Sequence, residues 1–169
     1  MLATACSSNS DTIQLGNEAF APDVESGEVD SEATGDVVNF SYETFDDETV
    51  EFADLPEGPV VLNFFASWCP SCIAELPDFE TVSQNFGGDV TFLGLATQDR
   101  SDSSVELLER TGVTFATGKD QNGEIFSLFK GLAMPTTVFL DANHEVVRVH
   151  SGVFDVESLT ETINDDLLS

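Results

Sequence analysis

The stretch Val60-Val61-Leu62-Asn63-Phe64-Phe65 passes through Ala66-Ser67 into Trp68-Cys69-Pro70-Ser71-Cys72, and no other part of the chain restricts the fold as tightly. An essentially apolar run of this length reads as a strand buried on both faces, with a layer of structure above and below it. After the second cysteine the period changes. Ile73, Leu76, Phe79, Val82 and Phe86 recur every three or four residues, the spacing of an amphipathic helix. Pro77 falls inside that helix and is expected to kink it, because proline has no N–H for the carbonyl of Ile73. Gly87-Gly88 ends it.

The remaining segments fit around this junction. Residues 37–42 and 50–52 read as short strands about the polar turn Phe45-Asp46-Asp47-Glu48, a small N-terminal hairpin. Residues 90–96 form a second buried strand. Ser103-Ser104-Val105-Glu106 has the form of a capping box opening a short helix to Arg110, and a short strand is expected around Thr114 and Phe115. Residues 123–130 read as a helix. Residues 136–140 and 145–150 read as strands joined by Asp141-Ala142-Asn143-His144. Asp155 caps a last helix that carries Val156, Leu159, Ile163 and Leu167 on one stripe. The resulting order, β-β-β-α-β-α-α-β-β-α, is an α/β domain with a central mixed sheet flanked by helices.

Residues 7–36 differ from the rest: rich in Ser, Asp, Asn, Glu and Gly, with no period of 2 or 3.6, they read as a disordered acidic linker ahead of a domain at 37–169. A chain of 169 residues has room for one such domain with a full core. Its 32 acidic residues against 5 basic ones give a net charge of −27, which excludes nucleic acid and anionic lipid headgroups as partners. The acids are spread through the whole chain and do not form an interaction tail. They point instead to an organism living in high salt, where ions screen the self-repulsion. No stretch approaches the roughly 18 apolar residues needed to span a membrane.

Two of the three cysteines form the C-x-x-C, at the start of a helix. Unpaired N–H groups and the positive end of the helix dipole favour a thiolate there. Cys69, outside the first turn, is expected to be the exposed nucleophile of lowered pKa. Cys72, one turn in, is placed to resolve a mixed disulfide. Pro70 at the helix start costs no hydrogen bond and stiffens the loop. Two other readings stand beside redox catalysis. His144 and His150 would complete a Cys2His2 metal set, but their distance along the chain is far from compact finger spacing, so no metal is expected. An inert structural disulfide would close too small a loop to restrain the unfolded chain.

With Glu75-Leu76-Pro77 and Met134-Pro135-Thr136-Thr137-Val138-Phe139-Leu140-Asp141 added to the run from Val60 to Cys72, the chain resembles the thioredoxin superfamily. Within it the resemblance is to the TlpA/ResA-like branch of AhpC/TSA-Redoxin type, over about residues 37–168. It implies a thioredoxin fold, with a βα-type insertion between the C-x-x-C helix and a cis-proline loop. Pro135 matches the cis-proline, and Met134 the residue whose backbone meets an extended substrate segment. Trp68 and Pro70 are implied to touch substrate, and Glu75 to act as a proton shuttle for Cys72. The small residues before Cys6, in Leu2-Ala3-Thr4-Ala5-Cys6-Ser7-Ser8, resemble a bacterial lipobox. That implies a lipidated Cys6, with residues 1–6 as the remnant of a signal peptide.

The function so implied is an extracytoplasmic protein-disulfide reductase, with cytochrome c maturation as one setting and the Cys69/Cys72 dithiol as its only redox group. No separate cofactor is expected. The partners implied are protein thiols and disulfides, and a membrane electron donor of CcdA or DsbD type. The membrane is contacted only through the lipid anchor, and the protein is expected to be a monomer. A disulfide-donating oxidase uses the same residues. A peroxiredoxin-like peroxidase needs a threonine three residues before its reactive cysteine, and position 66 is Ala. The charge carries its own prediction: stability falls when salt is removed, so the melting temperature in millimolar salt is lower than in molar salt.

Overall fold

The computed structural model describes residues 31–32 and 37–169. In chain order these form β1 (Ser31–Glu32), β2 (Ser41–Glu43), β3 (Thr49–Glu51), β4 (Val60–Phe65), α1 (Pro70–Phe86) and β5 (Thr91–Thr97). There follow α2 (Ser101–Thr111), β6 (Ala116–Asp120), α3 (Glu124–Leu128), β7 (Thr136–Leu140), β8 (Val146–Ser151) and α4 (Val156–Asp166). Among the described residues the strands make one mixed sheet in the order β1-β8-β7-β4-β5-β6-β2-β3. The β4–β5 and β5–β6 pairs are parallel and the others antiparallel. This is the α/β architecture expected, with the apolar run β4 near its centre.

Every residue of β4 is buried, because its alternating side chains serve two different layers. Val61 packs with Phe79 and Val82 of α1, Phe139 of β7, and Leu159 and Ile163 of α4. Val60, Leu62 and Phe64 face the opposite layer, with Phe52 and Phe129 and with Phe126 of α3. Phe65, at the strand's end, meets Leu76 of α1 and Leu107 and Leu108 of α2, in the same cluster as the two cysteines. The strand therefore delivers Ala66 to Cys72 into the angle between α1 and α2.

Several boundaries differ from expectation. The strand predicted over 37–42 is only Ser41–Glu43, and Val37 makes an isolated bridge to Glu145. Between them Val38 and Phe40 pack against the core, Phe40 stacking on Phe52 at 4.4 Å, so the segment leaves the plane of the sheet. Phe52 is itself buried at the start of a 3-10 turn, and ends β3 one residue early. The β1 strand lies inside the expected linker 7–36 and pairs with β8. Cys6 and the lipobox lie outside the described residues.

The capping box at Ser103 does not form. The α2 helix begins at Ser101 with no side-chain cap, because Asp99 has already taken the N–H of Arg100 (2.9 Å) and the hydroxyl of Ser104 (2.6 Å). The strand expected at Thr114 starts two residues later, as β6, because the Glu80 carboxylate first holds the Thr114 N–H and hydroxyl. The α3 helix is shorter than 123–130, its C-terminal turn closed by Gly131 N–H donating to the Phe126 carbonyl. α1 runs through Pro77 without interruption and ends at Gly87 in the left-handed region, φ 57°. α4 is capped by Asp155, in a reciprocal box with Ser158.

Gly118 of β6 is where β2 closes on the sheet. A Cβ there would lie 2.4 Å from Tyr42 Cδ2 and 2.7 Å from the Glu43 carbonyl oxygen. Gly118→Ala is therefore expected to destabilise the fold by ~1–3 kcal/mol, read as a lower denaturant midpoint at unchanged m-value.

Candidate active site

The site is built on the handover from β4 to α1. Cys69 is the N-cap of α1, in extended conformation (φ −100°, ψ 104°), and Pro70 occupies the first helical turn. The Cys72 backbone N–H donates to Cys69 Sγ at 3.2 Å, and the Ser71 hydroxyl lies 3.5 Å from the same sulfur. The helix terminus thus directs an otherwise unpaired N–H at the first sulfur, the arrangement that stabilises a thiolate when the pair is reduced. The two cysteines are joined as a disulfide with Cα atoms 5.3 Å apart. The expected exposure of Cys69 is not found: in the disulfide form it is buried at 4% exposed, against 0% for Cys72, and reaches solvent only through the cleft beside it.

The preceding turn is anchored from the insertion. Asp99, just after β5, accepts from the Ser67 N–H at 2.7 Å and the Ser67 hydroxyl at 2.8 Å. These hydrogen bonds, with those from Ser104 and Arg100, outweigh partial burial and hold the Asp99 carboxyl below the usual range. Trp68 is 58% exposed, which rules out core packing as its role, and its indole Nε1 donates to the Gln98 carbonyl at 3.3 Å. Asp99 and Gln98 carry no motif of their own; the signal for Asp99 is its place at the carboxyl end of a parallel strand beside β4.

Trp68, Cys69, Pro70 and Ser71 form one side of a cleft of about 430 Å³. Thr97 and Gln98, Phe126 of α3, and Leu132, Ala133 and Met134 form the rest. The Met134–Pro135 peptide bond is cis, as the resemblance implied. Met134 packs against the cysteine cluster, while Pro135 is buried and its carbonyl accepts from Gly152 N–H at 3.1 Å. None of the ten residues lining this cleft is charged, in a chain with 32 acids. Leu132, on its rim, is 89% exposed. Phe126 and Leu132 escaped the sequence reading because a three-dimensional turn alone brings α3 and its loop over the cysteines.

Glu75, one turn after Cys72 on α1, is 1% exposed and so is not a solvated helix-face acid. Asn63 Nδ2 donates to its Oε1 at 3.0 Å and the Phe154 N–H to its Oε2 at 3.3 Å. Burial pushes the Glu75 carboxyl up to about 8, against the pull of these two donors and with a small addition from Asp78. The two histidines weighed as metal ligands are apart from the disulfide. His144 sits in the β7–β8 turn, φ 61°, against Phe52, and His150 is buried on β8 against Phe154. Among the described residues no group of three or more His, Cys, Asp or Glu is placed to hold a metal ion.

Fold and site together define a thioredoxin-fold protein with a C-x-x-C disulfide at a helix N-terminus, facing a cis-proline loop. More narrowly, the chain belongs to the AhpC/TSA family, whose model matches residues 34–149, and is a TlpA/ResA-like member of the thioredoxin superfamily. It is 31% identical over 124 residues to thiol-disulfide oxidoreductase ResA of Oceanobacillus iheyensis, a match covering 73% of this chain and 65% of that protein. The chain thus spans slightly less than two thirds of that relative's length. Among solved structures it is similar to a secreted Mycobacterium tuberculosis disulfide oxidoreductase homologous to E. coli DsbE. That likeness has a TM-score of 0.68 at 25% identity, over 75% of this chain and 95% of that one. M. tuberculosis DsbF gives 0.69 at 29%, over 75% and 93%.

The buried carboxyl has a measurable signature. With a folded pKa of about 8 against 4.5 in a free side chain, Glu75 binds more protons in the native than in the unfolded state between those values. Its contribution is therefore full below pH 4.5 and is lost as pH rises to about 8. Across that window the oxidised protein is expected to lose stability on the order of 5 kcal/mol from this group, and Glu75→Gln to remove that loss. Denaturant midpoints of both proteins at pH 5 and pH 8 check it.

Proposed function

We propose that this protein is an extracytoplasmic thiol–disulfide oxidoreductase that reduces disulfides in polypeptide substrates. The observation that carries the reading is the Cys69–Cys72 disulfide, set at a helix N-terminus and opening on an uncharged cleft. In the reduced form the Cys69 thiolate attacks one sulfur of a substrate disulfide, forming a mixed disulfide and releasing a substrate thiolate. Cys72 gives up its proton and attacks Cys69 Sγ; the second substrate thiolate leaves and the Cys69–Cys72 disulfide forms. Two electrons pass to the substrate, whose two thiolates take up protons. Glu75 is the proton partner of Cys72, since it is buried one turn below and titrates within reach of neutral pH.

Trp68, Pro70 and Met134 contact the substrate, and Pro135 shapes the loop that presents Met134. Small anionic thiols gain little from an uncharged cleft inside a surface of net charge −27, whereas a polypeptide with apolar side chains near its cysteine fills it. The dithiol is recharged by a membrane dithiol carrier of CcdA or DsbD type, and apocytochrome c is one substrate that the resemblance to the TlpA/ResA-like branch implies. The protein needs no cofactor beyond the disulfide and works as a monomer, held at the membrane by lipid on Cys6. No helix among the described residues is long and apolar enough to cross a membrane. Peroxidase chemistry is disfavoured by Ala66, which supplies no hydroxyl near Cys69.

The deciding experiment is the equilibrium reduction potential of the Cys69–Cys72 pair in high salt. A value near or below about −250 mV is expected for a reductase; one near about −120 mV reverses the direction to disulfide donor. In parallel, Cys69→Ser abolishes reduction of a disulfide peptide, while Cys72→Ser accumulates a dithiothreitol-sensitive mixed disulfide, seen as an intact-mass adduct.

A further inference from the structure

Asn63 is the only polar residue in β4, and it points toward α1 and α4 from the buried centre of the sheet. Its Nδ2 donates both to Glu75 Oε1 at 3.0 Å and to Thr137 Oγ1, on the neighbouring β7, at 3.3 Å. Its Oδ1 is buried without a hydrogen-bond partner among the described residues. An orphaned buried amide oxygen costs about 1–3 kcal/mol, and a leucine among Val61, Leu62, Phe64 and Phe65 would cost nothing of the kind. Burial alone does not call for an amide here; the contact with Glu75 does.

We propose that Asn63 is a positioning residue for thiol exchange, its Nδ2 holding the Glu75 carboxyl in the orientation that trades a proton with Cys72. The proposal rests on the reading of Glu75 as the proton partner of Cys72. The geometry fixes the carboxyl at both ends: Asn63 reaches it from the sheet, and the Phe154 N–H reaches its other oxygen from the connection between β8 and α4. Both are donors, so both favour the carboxylate, the form that accepts the Cys72 proton when that thiol becomes the attacking thiolate. Burial opposes them, and the charge of Asp78 on α1 adds to it. Cys72 and His150 also lie on this side of the sheet, as does Arg148 of β8, which is engaged by Asp166 of α4. His150 is paired with Thr137 across β7–β8, and its ring lies 4.2 Å from that of Phe154. Removing the Asn63 donor leaves Glu75 protonated to higher pH, and the fraction of carboxylate that can take the Cys72 proton at neutral pH falls further.

The full chain, reduced and then loaded on Cys69 with thionitrobenzoate, reports the step directly. Release of the coloured thiolate is the attack of Cys72 on Cys69 Sγ, and its rate is followed against pH. Asn63→Leu is expected to move the inflection up by about one pH unit and to slow release at pH 7 about tenfold. Thr137→Val removes the second acceptor that steadies the same amide, whose two N–H groups serve Glu75 and Thr137 separately, and moves the inflection the same way by a smaller step; this variant keeps the test open if Asn63→Leu does not fold. In a Glu75→Gln background neither substitution changes the profile. A profile unmoved by Asn63→Leu and Thr137→Val, but moved by Glu75→Gln, overturns the role of Asn63 alone. A profile unmoved by Glu75→Gln overturns the reading of Glu75 on which it stands. A melting temperature lowered by Asn63→Leu with the inflection in place marks a merely structural amide and also overturns the proposal.

Discussion

Burial of β4 on both faces is the constraint on which the rest of the structure depends. A strand with a layer of packed structure on either side cannot shift its register by one residue without exchanging the contents of the two layers. Its end is therefore held to within the packing of Phe64 and Phe65, and so is the start of α1. Cys69 inherits this precision. Its sulfur meets the Cys72 N–H because the helix begins one residue later, and that start is determined by the strand before it. Asp99 adds a second tether, gripping the Ser67 backbone and hydroxyl from the end of the adjacent parallel strand.

The same strand sets the electrostatics beneath the disulfide. Alternation along β4 sends Asn63 to the α1 side, where the helix period has already placed Glu75 one turn below Cys72. A carboxyl in that position is desolvated whether or not it has donors, and desolvation outweighs the two donors it has. The site therefore stores a proton near neutral pH close to a sulfur that must lose one. Two periodicities, two for the strand and 3.6 for the helix, converge on a single side-chain contact of 3.0 Å.

Charge works on a different scale. The net −27 acts over the whole surface and is screened by salt, whereas the cleft beside Cys69 is uncharged and lined in large part by apolar groups. Trp68 and Leu132 stand out of it, each far more exposed than a core side chain. α3 supplies Phe126 to this wall, and Asp120 holds α3 by accepting from the Ile125 and Phe126 N–H groups at 3.1 and 2.9 Å. An acidic residue is here used structurally, to set an apolar surface.

The strand–C-x-x-C–helix junction, the last hairpin and the Asp155 cap were legible in the sequence as local pattern: an apolar run, a helical period, a short motif. Glu75, Trp68 and Pro135 were singled out only through the resemblance to a family. Where boundaries moved, a non-local contact had taken over, as when Asp99 started α2 early or Glu80 delayed β6. Asn63 could be seen as the one break in an apolar run, but its partner lay across the core and no spacing rule links them. Whether Glu75 was a solvated acid or a buried one, and which residues faced the cysteines across the cleft, was decided only by the tertiary structure. Burial and desolvation depend on what the rest of the chain packs against a residue, and local sequence carries that only indirectly.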